Sequence, residues 1–199
     1  MKPTQTLPEN FVLAWSFDLK HNKRLNIILQ IVGLAWMALA GWLLTLCVAW
    51  MRPDLKDAFT TGIKLDMLGV LVLLLVVMIA AIVIHELVHG LFFWLFSRHR
   101  PKFGIGFGYA FAAMPDWFFP KQQYLVVGLS PLVALTVLGL AASAFVPLTW
   151  LGALLFGMTI NAGGAIGDMY ICWRIAFDQA EVWINDSGDG FQLYRRKVD

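Results

Sequence analysis

Three ionisable side chains stand within a long apolar run, at a spacing that could bind a metal ion. The run from Val70 to Phe96, VLVLLLVVMIAAIVIHELVHGLFFWLF, contains His85, Glu86 and His89. Residues four apart on an α-helix project from one face, about one turn from each other. The two imidazoles can therefore bind one zinc ion. HELVH is an instance of the H-E-x-x-H pattern of zinc hydrolases, in which the glutamate is the candidate general base.

The composition indicates that this motif lies in a membrane protein. Of the 199 residues 59% are apolar and only 14% are charged, and the mean hydropathy is +0.70. An average soluble domain has about 25% charged residues. The net charge of +2 is too small to indicate nucleic-acid binding, and both cysteines lie in apolar runs, so no disulfide framework is expected.

Four apolar stretches are long enough to cross a bilayer, which takes roughly 20 residues. They cover residues 25–51, 67–96, 122–146 and 149–174. The expected fold class is an all-α membrane protein with four transmembrane helices and a short β-strand or hairpin between the second and the third. Ionisable groups inside such a span are costly and usually mark function. The alternative is that the histidines hydrogen-bond neighbouring helices and that Glu86 stays protonated.

The distribution of lysine and arginine predicts the orientation. With both termini on one side of the membrane, 12 of the 15 basic residues fall on that side. The side rich in lysine and arginine is the cytoplasmic one, so both termini should be cytoplasmic. We expect residues 1–199 to form one membrane-embedded domain, with a cytoplasmic or interfacial segment at 1–24 and a cytoplasmic tail at 178–199.

A catalytic zinc site needs a third protein ligand, and its fourth position is left for water. Asp168 is the candidate by depth, because it lies six residues before Arg174, at the cytoplasmic end of its span. His89 lies nine residues before Arg98, at the cytoplasmic end of the second span. At 1.5 Å per residue these depths agree within about 5 Å. Asp116, in the loop between the second and third spans, is an alternative ligand, and Asp168 could instead pair with Arg174.

The segment between the second and third spans, KFGIGFGYAFAAMPDW (residues 102–117), has a period of two. Bulky residues alternate with small ones, among them Gly104, Gly106 and Gly108, which predicts a strand with one smooth face. A protease must hold its substrate extended, and an edge strand can do so by backbone pairing. We predict that this segment is a membrane-re-entrant strand or hairpin, which lies beside the zinc and binds substrate. The alternative is a cytoplasmic hairpin that caps the helices.

Three motifs together resemble the site-2 protease group of intramembrane zinc metalloproteases. They are HELVHG in one span, GLSPLVAL in a later one and NAGGAIGDM in the last. More narrowly, the chain resembles a small bacterial family described as "putative zincin peptidases", over roughly residues 66–177. The resemblance implies that Asp168 is the third ligand and that Asn161 contacts substrate near the metal. In this chain glycines replace the prolines between these two residues, and Met169 stands where a glycine would follow the aspartate.

The expected function is a zinc-dependent intramembrane endopeptidase that cuts membrane-embedded or juxtamembrane substrates near the cytoplasmic face. Zn²⁺ would be bound by His85, His89 and Asp168, with Glu86 as the base. The expected partners are a membrane-protein or peptide substrate and the lipid bilayer of a bacterial cytoplasmic membrane, with no nucleic acid; the sequence carries no indication of oligomeric state. The alternative is a non-proteolytic zinc-binding scaffold or chaperone, which would gain nothing from an unliganded base. A metal transporter would instead spread its acids and histidines through several spans.

Overall fold

The computed structural model describes residues 1–18, 22–57, 65–106, 109–188 and 190–197. In chain order, the described residues form β1 (Phe11–Asp18), α1 (Lys23–Met51), a short 3-10 helix (Pro53–Asp57), α2 (Met67–Ser97), β2 (Lys102–Gly106), β3 (Tyr109–Pro120), α3 (Lys121–Ser143), α4 (Leu148–Gly164), α5 (Ile166–Ala176), β4 (Val182–Asp186) and β5 (Gly190–Arg196).

The chain divides into two compact units, which are described separately. The sheet unit comprises Met1–Gln30, Glu86–Ser130 and Gly167–Asp199. The helical unit comprises Ile31–His85 and Pro131–Ile166. The division falls within continuous helices, because α1, α2 and α3 each contribute residues to both units.

The predicted all-α fold class is wrong, because the sheet unit contains a five-stranded antiparallel sheet in the order β1-β5-β4-β3-β2. The expected hairpin between the second and third long helices is present as β2 and β3, paired from Lys102–Ala113 to Gly106–Tyr109. The other strands come from the two ends of the chain. Pairing of β1 with β5 joins segments far apart in sequence, and apolar composition does not indicate which distant segments pair.

The predicted number of spans is also corrected. Among the described residues, three helices are each long and apolar enough to cross a membrane, namely α1, α2 and α3. The predicted fourth span is a bent pair, α4 and α5, whose axes differ by 43°. The break falls at Ala165, close to Gly163, Gly164 and Gly167. Each glycine weakens a helix by about 1 kcal/mol relative to alanine, so this stretch favours a break over one straight helix.

The core of the sheet unit joins the sheet to the helix segments that belong to the same unit. Phe93 of α2 is 1% exposed, and its ring centroid lies 5.1 Å from that of Phe119 in β3 and 6.3 Å from that of Tyr124 in α3. Ile175 of α5 and Ile184 of β4 are fully buried in the same cluster. This cluster fixes α2, α3 and α5 against the sheet within the unit.

A buried polar contact adds to this core. The Tyr124 hydroxyl donates a hydrogen bond to the carboxyl of Asp186 in β4, and the Gly188 backbone N–H donates to the same carboxyl. Burial raises the pKa of Asp186 above its ordinary value. The contact ties the first turn of α3 to the sheet.

In the helical unit, α1 and α4 approach each other closely. A Cβ atom on Gly163 of α4 would lie 2.8 Å from the Cγ of Met37 in α1, so a larger residue would push the helices apart. The Trp36 indole donates a hydrogen bond to the Ala162 carbonyl, at 3.0 Å. Small residues commonly allow such close contact between membrane helices. The contact fixes the end of α4 that carries Asn161.

Asp178, just after α5, connects this helix to β5 within the sheet unit. Its buried carboxylate accepts a hydrogen bond from Arg195 Nε at 2.8 Å, and Nη2 of the same guanidinium lies 2.7 Å from the same oxygen in an ion pair. Its backbone carbonyl accepts a hydrogen bond from Lys121 at 2.7 Å, and the same ammonium also donates to the Ala176 carbonyl. The side chain of Asp178 is only 4% exposed, so this charge depends on its partners.

We expect Arg195→Met to lower the free energy of unfolding by about 1–3 kcal/mol, because it removes the cation from a buried carboxylate. Arg196→Met is the matched control. Arg196 is 63% exposed and pairs with Glu181 on the surface, and such pairs contribute only about 0–1 kcal/mol. Unfolding of the two variants in detergent would measure the difference. Equal losses in both would contradict this account of Asp178.

Candidate metal centre

Within the sheet unit, His89 faces Asp168. The Nε2 atom of His89 lies 3.3 Å from Oδ2 of Asp168, in the first turn of α5. The Nδ1 atom of His89 lies 2.9 Å from the backbone carbonyl of Val127 in α3. A carbonyl oxygen only accepts hydrogen bonds, so Nδ1 carries the proton and Nε2 is the nitrogen presented to Asp168. The His89 side chain is buried.

Within the helical unit, His85 is held in a comparable way. Its Nδ1 atom lies 2.9 Å from Oδ1 of Asn161. The Nδ2 atom of Asn161 donates a hydrogen bond to the Pro131 carbonyl at 3.3 Å, which orients the amide so that its oxygen accepts from His85. His85 and Asn161 are 7% and 4% exposed. This arrangement leaves Nε2 of His85 as the ring nitrogen that can bind a metal.

His85, His89 and Asp168 together form a group that could hold a metal ion. The two histidines lie one turn apart on the continuous helix α2, so that helix fixes their relative position. Each of the three residues offers a ligand atom, and these atoms lie within 4.8 Å of one another. Two imidazoles and one carboxylate are a donor set of catalytic zinc sites. Metal-binding histidines characteristically donate their other ring N–H to a second group, so these residues fit zinc.

Glu86 stands beside this group without belonging to it. It follows His85 on α2 and is half-buried, and the metal-binding group consists of the two histidines and Asp168. A carboxylate next to a metal site that is not itself a ligand can accept a proton from water.

The sequence left two alternatives open, namely Asp116 as the third ligand and Arg174 as the partner of Asp168. Asp116 is 71% exposed and forms an ion pair with Lys102 at 3.1 Å, and it is not a member of the metal-binding group. The guanidinium of Arg174 lies over the ring of Trp15, 5.7 Å from its centroid. Asp168, whose carboxylate lies 3.3 Å from His89, is the aspartate that belongs to this group.

The glycine that follows the motif lets β2 approach α2. A Cβ atom on Gly90 would lie 2.3 Å from the ring of Phe103 in β2, so alanine there would require this ring to move. Gly90 directly follows His89. Within the sheet unit, β2 therefore packs against the helix one residue beyond a candidate metal ligand.

The glycines of β2 lie opposite aromatic residues. Gly104 pairs with Phe111 and Gly106 pairs with Tyr109 in β3, and a Cβ on either glycine would lie within 2.5 Å of the facing ring. Their smooth face is therefore covered by aromatic rings, which the alternation of the sequence did not indicate. Gly108, also predicted to bind substrate, lies outside the described residues. β2 is an edge strand of the sheet.

Three contacts around the candidate metal site were not predicted from the sequence. The side-chain oxygen of Asn161 hydrogen-bonds His85, and the expected contact of Asn161 with substrate stays a prediction. The Val127 carbonyl and Pro131 were given no role. The signal for both was present in the sequence, because a proline inside a helix leaves the carbonyl four residues earlier without its helical donor.

The described residues thus combine three helices apolar enough to cross a membrane with a two-histidine, one-carboxylate group that could hold a metal ion. The model of a family described as "putative zincin peptidase" matches residues 78–183, just over half of the chain. The chain belongs to this family, as the narrower resemblance in the sequence predicted. The matched range contains His85, Glu86, His89 and Asp168, and the family description implies a zinc-dependent peptidase. No curated protein matches the chain, and no solved structure matches it.

Proposed function

We propose that the protein is a zinc-dependent intramembrane endopeptidase. It would hydrolyse membrane-embedded or juxtamembrane segments near the cytoplasmic face of a bacterial cytoplasmic membrane, with both termini cytoplasmic. The observation that carries the proposal is the group of His85, His89 and Asp168, two of whose members lie on the apolar helix α2. Ionisable residues are rare in such helices and usually serve function.

The chemistry follows from the residues present. When bound, zinc would lower the pKa of a water molecule towards about 7 and polarise the scissile carbonyl. The Glu86 carboxylate accepts a proton from the attacking water while the water oxygen bonds to the carbonyl carbon. Glu86 then passes this proton to the nitrogen of the leaving amine as the C–N bond breaks. His85 and His89 keep their Nδ1 protons engaged with Asn161 and Val127 throughout.

The edge strand β2 is the proposed place for the substrate backbone. It packs on Gly90 next to His89, and its outer edge is the end of the sheet. An extended peptide can add to such an edge by backbone hydrogen bonds, which hold it straight without recognising a particular sequence. In this role Gly104 and Gly106 contribute backbone rather than side-chain contacts.

The proposal is tested with protein purified in detergent and a panel of synthetic transmembrane peptides. We expect the wild type to cut some of these peptides within or next to the apolar stretch, at sites that mass spectrometry can map. Glu86→Ala is expected to cut none of them. Equal cleavage by the two proteins would refute the mechanism. A wild type that binds zinc and the peptides but cuts none would instead favour a scaffold or chaperone.

A further inference from the structure

We propose that Pro131 is a positioning residue that orients both candidate zinc-binding histidines. The inference rests on the zinc site of the proposed function, and it adds a residue that contacts neither the metal nor the substrate. Pro131 lies inside α3 and is fully buried. Its two backbone properties, a missing N–H and a well-placed carbonyl, each serve one histidine.

The missing N–H serves His89. In an α-helix the N–H of each residue donates to the carbonyl four residues earlier, and proline has no N–H to donate. The Val127 carbonyl, four residues before Pro131, therefore lacks its helical donor. This carbonyl accepts hydrogen bonds from His89 Nδ1 at 2.9 Å and from the Ser130 hydroxyl at 2.8 Å. Any other residue at position 131 would place an N–H at the same oxygen, in competition with His89.

The carbonyl of Pro131 serves His85. It accepts a hydrogen bond from Nδ2 of Asn161 at 3.3 Å, and Oδ1 of the same amide lies 2.9 Å from His85 Nδ1. Because the amide nitrogen is engaged by Pro131, the amide oxygen must point towards the histidine. Both imidazoles thus present Nε2 as the metal-binding nitrogen, and the tautomer of each is fixed through the same residue of α3.

Proline is unfavourable in the interior of a helix. Stability and zinc affinity, measured together, therefore distinguish a positioning role from a merely structural one. If Pro131 only shaped the fold, replacing it would lower stability and zinc affinity together. If Pro131 positions the histidines, Pro131→Ala should weaken zinc binding while the metal-free protein becomes no less stable. Only the positioning proposal predicts weaker zinc binding without a loss of stability.

The test compares full-length variants in detergent by zinc competition with a chelator. We expect Pro131→Ala to raise the zinc Kd about 10- to 100-fold, the range typical of losing an outer hydrogen bond to a ligand, with an unchanged or higher Tm of the metal-free protein. Pro131→Gly also restores the N–H, but glycine is a poorer helix former than alanine. We therefore expect Pro131→Gly to show the same zinc Kd as Pro131→Ala with a lower Tm than Pro131→Ala. Pro147→Ala, at the exposed start of α4, should bind zinc as the wild type does.

A backbone substitution isolates the cause. The hydroxy-acid analogue of alanine at position 131 has no N–H, and we expect it to keep zinc affinity close to that of wild type. The proposal is overturned if Pro131→Ala and Pro131→Gly bind zinc as tightly as wild type, or if the hydroxy-acid protein binds as weakly as Pro131→Ala.

Failure of this inference is distinguishable from failure of the proposed function. A wild type that cuts peptides, with unchanged zinc affinity in the position-131 variants, would remove only the role of Pro131. A wild type that cuts no peptide, with the expected losses of zinc affinity in these variants, would remove only the peptidase activity.

Discussion

Glu86→Gln should abolish peptide cleavage while the protein still binds one zinc ion. Glu86 lies next to His85 but is not a member of the metal-binding group, so its replacement by an amide of equal size leaves the ligands in place. An amide cannot accept the proton of the attacking water. General-base catalysis contributes roughly 10²- to 10⁴-fold, so we expect kcat to fall by at least about 100-fold. Zinc content and kcat of the purified variant measure the two effects separately.

Glu181→Gln is the matched control for this prediction. Glu181 pairs with Arg196 on the surface, so the same chemical change there should leave both zinc content and kcat unchanged. Loss of zinc from Glu86→Gln would show that Glu86 supports the metal rather than the proton transfer. Retained activity would show that another group is the base.

The second large effect is expected at Asp168. Removing a ligand should weaken zinc binding by more than the roughly 10- to 100-fold cost of removing an outer hydrogen bond, so Asp168→Ala should raise the zinc Kd by more than about 100-fold. His85→Ala should do the same, and both variants should lose cleavage as well. Zinc competition with a chelator measures the change in Kd.

Asp116→Ala distinguishes the two aspartates that the sequence offered as third ligand. Asp116 is highly exposed and pairs with Lys102, so its replacement should leave the zinc Kd at the wild-type value. The assignment of the third ligand would be contradicted if Asp116→Ala lost zinc and Asp168→Ala retained it. If both substitutions had equal and small effects on the zinc Kd, neither aspartate would be the third ligand.

The candidate site was largely predictable because its signals are local or depend on helix geometry. His85 and His89 lie on one helix, where a spacing of four settles their common face. Asp168 was selected by its depth relative to Arg174, and the structure places its carboxylate 3.3 Å from His89. The contact of Asn161 with His85 was missed, because the position of a side chain does not reveal which of its neighbours it will hydrogen-bond.

The fold was less predictable because its missing parts depend on contacts between distant segments. β1 and β5 pair across almost the whole length of the chain, and neither strand has a composition that requires the other. Asn185 of β4 shows the same dependence, since its amide donates to the carbonyls of Pro115 and Trp117 at the irregular part of β3. These hydrogen bonds form only when both strands are in place, so neither segment alone predicts them.

The proposed activity depends most on one zinc ion bound by two imidazoles and one carboxylate. X-ray absorption at the zinc edge of the purified protein tests this coordination directly. The predicted spectrum has only nitrogen and oxygen neighbours at about 2.0–2.2 Å, with the outer scattering of two imidazoles. It should change in Asp168→Ala and stay the same in Glu86→Gln. Sulfur neighbours at about 2.3 Å, or a spectrum that Asp168→Ala leaves unchanged, would contradict the account.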